Sequence, residues 1–443
     1  MAFGSVLGSG SLALAVGMLA LLPACSDDSD PADGSGGAGG GSSANTGSAS
    51  QGTGGSGGGM GGAGGGTGGA GDTGGGGTGG GGTGGGGGGT GGGADAQGIV
   101  PNPIISRGKP AFASAGTASV INDGKYRSAG TWIAGKPTSA APAWVAIQVG
   151  TGYERLLLSW TASYNYNYTD VQYGAPGAYR VETSSDSTNG SDGTWTQVAE
   201  VTDNPVRTRA HSFDFGGKSW VRLVVTAAPA TSDETGVQLD EIDVHDISKG
   251  AEDTWFFLGD SITAYAYDRD TPATQPSFAE NVHAAHPAHY PAMINGGIGS
   301  ELTKSSDKPS ALDRIDDVLE LNPDFHYFAI GYGTNDSWGQ TDPSTFKANL
   351  QQIIDKIEAA GRVPVLAHIP FSPDGNHDAV PAFNEAIDAL TRENGLPPGP
   401  DLYTWFKDHP DRFTDKVHPD PAGRVAMNKL WADAVDGLYP AQR

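Results

Sequence analysis

Trp255-Phe-Phe-Leu-Gly-Asp-Ser-Ile262 is the stretch on which the reading of this 443-residue chain turns. Four consecutive apolar residues, Trp255 to Leu258, leave no face for solvent, which is the pattern of a strand buried on both sides. Gly259-Asp260-Ser261 ends the run and presents a hydroxyl directly after the strand. Similar short apolar runs recur at 290–294, 325–330 and 363–367. Helical patterns lie between and after them: 310–320, ending before Asn322-Pro323; 344–360, started by Ser344 and stopped by Gly361; 381–393, followed by Asn394-Gly395; and 421–438. Strand and helix in alternation predict an α/β, doubly wound parallel sheet over 253–443. In such sheets the chemistry gathers at the C-terminal ends of the strands.

Four blocks fall where those ends are expected: Gly259-Asp260-Ser261-Ile262, Asn295-Gly-Gly-Ile-Gly-Ser300, Gly333-Thr334-Asn335-Asp336 and, near the C-terminus, Asp415-Lys-Val-His-Pro419. Their residue types suit acyl transfer. A serine hydroxyl is a weak nucleophile until a base takes its proton, and His418 titrates in the range where it can do so. Asp415, three residues earlier, can fix the imidazole tautomer and stabilise the imidazolium. The tetrahedral intermediate needs donors for its oxyanion. Candidates are the backbone N–H of Ser261, those around Gly299 and Ser300, and the side-chain amide of Asn335. Asp260 reads as a structural helix-start residue or turn ligand rather than a chemical participant, and Asn335 has a plainer alternative as a cap of the following turn.

Taken together and in this order, the four blocks resemble the SGNH (GDSL-like) hydrolase superfamily. The resemblance implies a serine esterase with Ser261, Asp415 and His418 as catalytic residues and Asn335 in the oxyanion hole. It also places Ser300 where the family usually has the oxyanion glycine, so Gly299 and Ser300 remain alternatives for the backbone donor. The α/β-hydrolase elbow, which also follows a strand, wants Gly-x-Ser-x-Gly; here Thr263 occupies the last position.

Other histidines read differently. His283, His286 and His289 are spaced by three, which invites a metal reading, but Pro287 interrupts a helix there and no acidic partner repeats nearby; they read as a mixed surface-and-packing set. His368 follows a strand and either lines the cleft or packs. His377 and His409 stand in polar loops and carry no signal. The triad chemistry implies no cofactor.

Upstream, 98–248 changes character. Short alternating runs rich in Trp, Tyr, Val and Thr, such as Trp144-Val-Ala-Ile-Gln-Val149, Leu156-Leu-Leu-Ser-Trp160 and Trp220-Val-Arg-Leu-Val-Val-Thr226, are separated by turn-rich segments. They predict an all-β sandwich. Gly108-Lys-Pro-Ala-Phe-Ala-Ser114, Val120-Ile-Asn-Asp-Gly-Lys-Tyr126, Trp132 and Leu239-Asp-Glu-Ile-Asp-Val-His-Asp246 resemble the discoidin (galactose-binding-like) jelly roll. That resemblance implies carbohydrate binding or a spacer role, and admits a structural Ca²⁺. The loop Tyr164-Asn-Tyr-Asn-Tyr-Thr-Asp-Val-Gln-Tyr173 alternates aromatic and amide side chains, suited to sugar contact or to packing. The link 246–253 is too short for a free tether, so the two domains are expected to abut.

The remaining N-terminal part reads as an address. An apolar run over 12–22 ends in Leu22-Pro23-Ala24-Cys25, which resembles a bacterial lipobox with Cys25 as the lipidated residue; residues 1–25 are then an export signal. The stretch 26–97 is nearly all Gly, Ser, Thr and Ala, with nothing to bury, and is expected to be a disordered tether with an r.m.s. reach of roughly 45–50 Å. Cys25 is the single cysteine, which excludes an intramolecular disulfide and a Cys-based metal site. The net charge of −24, with no basic run, argues against nucleic acid as a partner.

The sequence therefore predicts an exported lipoprotein of the cell envelope. Its membrane contact is an N-terminal lipid anchor, and its substrate is an acylated carbohydrate or small ester. A lipid or lysophospholipid esterase is one alternative. A sugar-binding surface protein with an inactive hydrolase domain is another.

Overall fold

The computed structural model describes residues 99–126, 130–163, 174–230, 236–339, 341–374 and 377–439. Cys25, the Gly-rich stretch and the 164–173 loop lie outside the described residues. The described residues all fall within one compact unit.

Its first part is strand: β1 (Ala111–Ala113), β2 (Trp132–Gly135), β3 (Ala143–Ile147), β4 (Arg155–Ala162), β5 (Ala178–Ser184), β6 (Trp195–Val201), β7 (Thr208–Asp214), β8 (Trp220–Ala227) and β9 (Val237–Asp246). These pair into two antiparallel sheets, ordered β1-β3-β8-β5-β6 and β2-β9-β4-β7. Alternate residues of the strands point to one shared core. Val145, Val181 and Leu223 come from the first sheet, and Leu158, Trp160 and Val244 from the second.

The second part contains β10 (Thr254–Gly259), α1 (Ser261–Ala266), α2 (Phe278–Ala285), β11 (Ala292–Asn295), α3 (Ala311–Leu321), β12 (Tyr327–Gly331), α4 (Thr334–Trp338), α5 (Pro343–Ala359), β13 (Val363–Leu366), α6 (Val380–Glu393), α7 (Leu402–Asp408) and α8 (Pro421–Ala434). The four strands pair in parallel in the order β11-β10-β12-β13. Each apolar run of the sequence forms one of them. Along β10, Phe256 and Leu258 enter the core on one face of the sheet, and Trp255 and Phe257 the core on the other, which is why the run is continuous. Gly259 pairs with Gly331 of β12. A Cβ on Gly259 would meet Thr263 Oγ1 at 2.1 Å, so only glycine lets these two strand ends close up beneath the site.

The boundaries depart from the sequence reading in small ways. α5 starts at Pro343, with Asp342 rather than Ser344 as its cap, because the Asp342 carboxylate accepts from both Ser344 N and Thr345 N. α8 stops at Ala434 and the chain continues as a 3₁₀ turn, Asp436–Leu438. α1 starts from Asp260 as its N-cap, as the sequence suggests; three further helices that the sequence does not announce, α2, α4 and α7, have eight residues or fewer, too short to display a periodic apolar face.

The strand-rich part abuts the parallel sheet. β4 is apolar on both sides: Leu156 and Leu158 lie in the sandwich core, while Leu157, fully buried, joins the core around β10 and β12 together with Ala210 of β7 and Ile247. Polar ties seal the seam. Asn322, which ends α3, accepts from Ala210 N at 3.1 Å. Asn102 donates to Gly250 O and accepts from Asp253 N. Tyr126 and Arg269 exchange a pair of backbone hydrogen bonds at 3.0 and 3.2 Å.

Candidate active site

The turn after β10 is set by Asp260. It is the N-cap of α1, and its carboxyl accepts from Ile262 N at 2.9 Å. This puts Ser261 in the first helical position, where the backbone N–H has no intrahelical acceptor. Asp260 is 1% exposed. Burial pushes its carboxyl up to about 8; the Ile262 N–H works against that rise, and the nearby carboxylates of Asp336 and Glu301 add to it.

His418 reaches Ser261 from the far end of the chain. Ser261 Oγ–H faces His418 Nε2 at 2.9 Å, and His418 Nδ1–H donates to Asp415 Oδ2 at 2.7 Å. The second carboxylate oxygen of Asp415 accepts from the backbone N–H of Val417 and of His418, so one side chain fixes both the turn and the ring. Burial tends to raise the Asp415 carboxyl, but the hydrogen bonds and charge of His418 prevail and hold it at about 2. Ser372, in the loop after β13, donates to Lys416 O and braces the same turn. On the other side Tyr265 packs against the His418 ring, with centroids 4.6 Å apart. It lies one helical turn after Ser261, on the same side of α1; that spacing was the one available sequence signal for it.

Asn335 lies in the first turn of α4. Its Nδ2 donates to Glu301 O at 3.1 Å and stands 3.4 Å from Asp260 Oδ2. The amide therefore faces both the turn after β11 and the helix that carries Ser261. Ser300 has φ 56°, a left-handed conformation that glycine adopts freely and other residues at some cost. Among the described residues the backbone N–H groups of Ser261, Gly299 and Ser300 donate to no carbonyl of the protein. Ser261, His418 and Asp415 are thus brought into one line, and Asn335 and the 299–300 turn into the neighbourhood of the serine helix.

The other histidines find separate partners. His283 Nδ1 bonds His289 O, His286 Nε2 bonds Asp436, and buried His289 bonds Asp253 at 3.0 Å. Asp253 and Asp436 come from distant elements, which is why no acidic partner showed in the local sequence. His368 bridges Asp388 and Asp401. His377, given no signal by the sequence, is buried, contacts Ser337 Oγ at 3.3 Å and packs edge-on against Trp338. Among the described residues no group of three His, Cys, Asp or Glu side chains is placed to hold a metal ion, and no helix is long and apolar enough to cross a membrane.

A groove of about 490 Å³ runs along the seam behind Tyr265. Asp123 and Lys125 line it from the strand-rich part, and Asp268, Asp270, Gln275 and Arg424 from the parallel-sheet part. Arg424 stands over the Tyr265 ring at 5.9 Å, so the groove begins two side chains from His418.

Residues 257–426 match the GDSL-like Lipase/Acylhydrolase family; the matched segment contains all four blocks and supports an ester hydrolase. Among solved structures, the chain is similar to a lipase/acylhydrolase from Enterococcus faecalis, with 20% identity over 43% of this chain and 98% of that one and a TM-score of 0.34. It is also similar to a variant of an acetyl xylan esterase from Geobacillus stearothermophilus, with 18% identity, 44% and 99% coverage and a TM-score of 0.34. A third similarity is to chitosan-binding module 1 of a chitosanase/glucanase from Paenibacillus sp. IK-5, with 22% identity, 32% and 98% coverage and a TM-score of 0.24. No curated protein matches the chain.

Proposed function

We propose that this protein is a serine esterase that removes short acyl groups, acetyl foremost, from carbohydrate through an acyl-enzyme. The observation that carries the reading is the line Ser261 Oγ, His418 Nε2 and Nδ1, Asp415 Oδ2, with contacts of 2.9 and 2.7 Å. In this reading His418 takes the Ser261 proton as Oγ attacks the ester carbonyl. Asp415 stabilises the imidazolium. The oxyanion is met by the Ser261 N–H, the 299–300 turn and Asn335 Nδ2, whose long 3.4 Å contact with Asp260 is the one a developing negative charge would replace. His418 then returns the proton to the leaving alcohol, and water, activated by the same base, releases the acid.

The carbohydrate part rests on the seam groove. Its acidic, basic and amide side chains suit hydroxyl groups, and it begins two side chains from His418, through Arg424 and Tyr265. A discoidin-like identity for the strand-rich domain agrees with it, as does a tethered position in the cell envelope. We further propose that Cys25 anchors the chain to membrane through lipid; palmitate-analogue labelling that persists in a Cys25→Ser protein would refute this.

The substrate test is a screen of the fragment starting at Gly98 on acetylated glycans and on p-nitrophenyl esters of increasing chain length. Acetate release from glycan, with p-nitrophenyl activity falling as the chain lengthens, supports the proposal. Activity that rises with chain length supports a lipid esterase, and no turnover of any ester supports a binding protein with an inactive hydrolase domain.

A further inference from the structure

The turn from β11 to α3 carries backbone donors of the proposed oxyanion site, and it borders open space. Gly296, Gly297 and Ile298 line a cavity of about 650 Å³ whose far wall includes Pro205 and Val206 of the strand-rich domain. The turn packs closely against Phe256 and Ala264 on one side, but on the side of the void it has no packing partners, so there polar ties hold it.

Two basic side chains supply them. Arg314, on α3, donates from Nη2 to Gly296 O at 2.7 Å, and from Nε and Nη2 to the Glu301 carboxylate at 2.7 Å each. One planar guanidinium thus joins the first and last residues of the turn, a span that the point charge of a lysine cannot reproduce. Tyr332, just past β12, donates to the same carboxylate and accepts from Arg314 Nη2 at 3.1 Å. Glu301 and Tyr332 are each 2% exposed. A buried Arg–Glu pair gains little net stability over apolar packing, so stability alone does not account for it. The backbone of Glu301 supplies the link to the chemistry: its carbonyl accepts from Asn335 Nδ2. Lys308 makes the second tie, donating from Nζ to the carbonyl of Ser300, the residue held at φ 56°.

We propose that Arg314 and Lys308 are positioning residues of the oxyanion site. Arg314 sets the span of the 296–301 turn and, through Glu301, the place of the Asn335 amide. Lys308 holds the Ser300–Glu301 peptide so that the strained residue keeps its orientation. Neither side chain touches the reacting atoms. The proposal rests on the esterase reading above and deepens it.

The test is steady-state hydrolysis of p-nitrophenyl acetate by the full chain, by Arg314→Lys and Lys308→Met, and by Ser261→Ala as reference. Misplacing donors without touching the substrate lowers kcat and spares KM. Arg314→Lys is expected to lose about 10- to 100-fold in kcat and Lys308→Met about 3- to 10-fold, each with KM within about twofold of the parent. Wild-type kcat in both variants, or a loss confined to KM, overturns the proposal while leaving the esterase reading intact. Turnover by the parent that disappears in Ser261→Ala supports that reading whatever the two variants do, and an inactive parent overturns both. Should Arg314→Lys fail to fold, Lys308→Met decides alone, because its partly exposed side chain anchors no core element.

Discussion

Ser261 and His418 are 157 positions apart in the chain, yet Ser261 Oγ lies 2.9 Å from His418 Nε2. The contact joins the N-terminus of α1 to the turn before α8, and the Asp415 carboxylate sets that turn through its backbone hydrogen bonds. Asp415→Asn should preserve the fold, since an amide oxygen can still accept those N–H bonds. It should nevertheless lower kcat by about 10⁴-fold, because the ring loses its anionic partner and the wrong tautomer becomes available. Kinetics with p-nitrophenyl acetate on a variant with native circular dichroism checks this. A loss of tenfold or less would mean that Asp415 serves the turn alone.

The oxyanion assignment separates two neighbouring changes. Asn335→Ala should raise the barrier by about 2.7–4 kcal/mol, chiefly in kcat, the cost of removing one preorganised donor. Ser300→Gly keeps the backbone donor and relieves a left-handed conformation, so kcat should change less than about threefold and stability should rise by about 1 kcal/mol. If Ser300→Gly were the more damaging of the two, the 299–300 turn would have a side-chain role not assigned to it here.

The buried Asp260 carboxyl makes stability depend on pH. Its folded value of about 8 lies above the unfolded value of about 3.9. The folded chain therefore holds a proton that the unfolded chain releases, and stability from this group is full below about pH 4 and declines as pH rises towards 8. Asp253 and Asp336 are also raised by burial and act in the same direction. Asp260→Asn removes one contribution, so the variant should lose less stability than the parent between pH 5 and pH 8. Urea midpoints at the two pH values decide it; parallel losses in the two proteins would show that Asp260 is ionised in the fold.

The seam between the domains is part of the core. Leu157, on the outer side of β4, is fully buried among residues of the parallel-sheet half. Leu157→Ala should cost about 2–5 kcal/mol of stability and lower the unfolding midpoint of the whole unit in one transition. Calorimetry that instead showed two independent transitions, with only one shifted, would mean that the domains fold separately despite their contact.

How much of this was legible in the sequence depended on range. The β10 run could be read because both faces of a parallel sheet are covered, so Trp255 to Leu258 show no polar break. The first three blocks could be read because each follows a strand end, β10, β11 or β12; the fourth lies between α7 and α8 and was legible by its Asp-x-x-His spacing instead. Arg314 and Glu301 could not, since a pairing across a turn leaves no period in the chain, and neither could the burial of His377, which depends on α4 arriving beside it. The three successive leucines at 156–158 did carry a sign of two-sided burial, but an alternating-strand reading assigns the middle one to solvent. The short helices α4 and α7 were hidden because one or two turns cannot repeat a pattern.

The most direct measurement is covalent labelling of the folded protein with a fluorophosphonate, followed by mass spectrometry of the peptides. A nucleophile activated by His418 should give one adduct, on Ser261, and none in Ser261→Ala or after blocking by a phosphonate ester. An unlabelled wild-type protein, or an adduct that persists in Ser261→Ala, would contradict the assignment of Ser261 as the nucleophile.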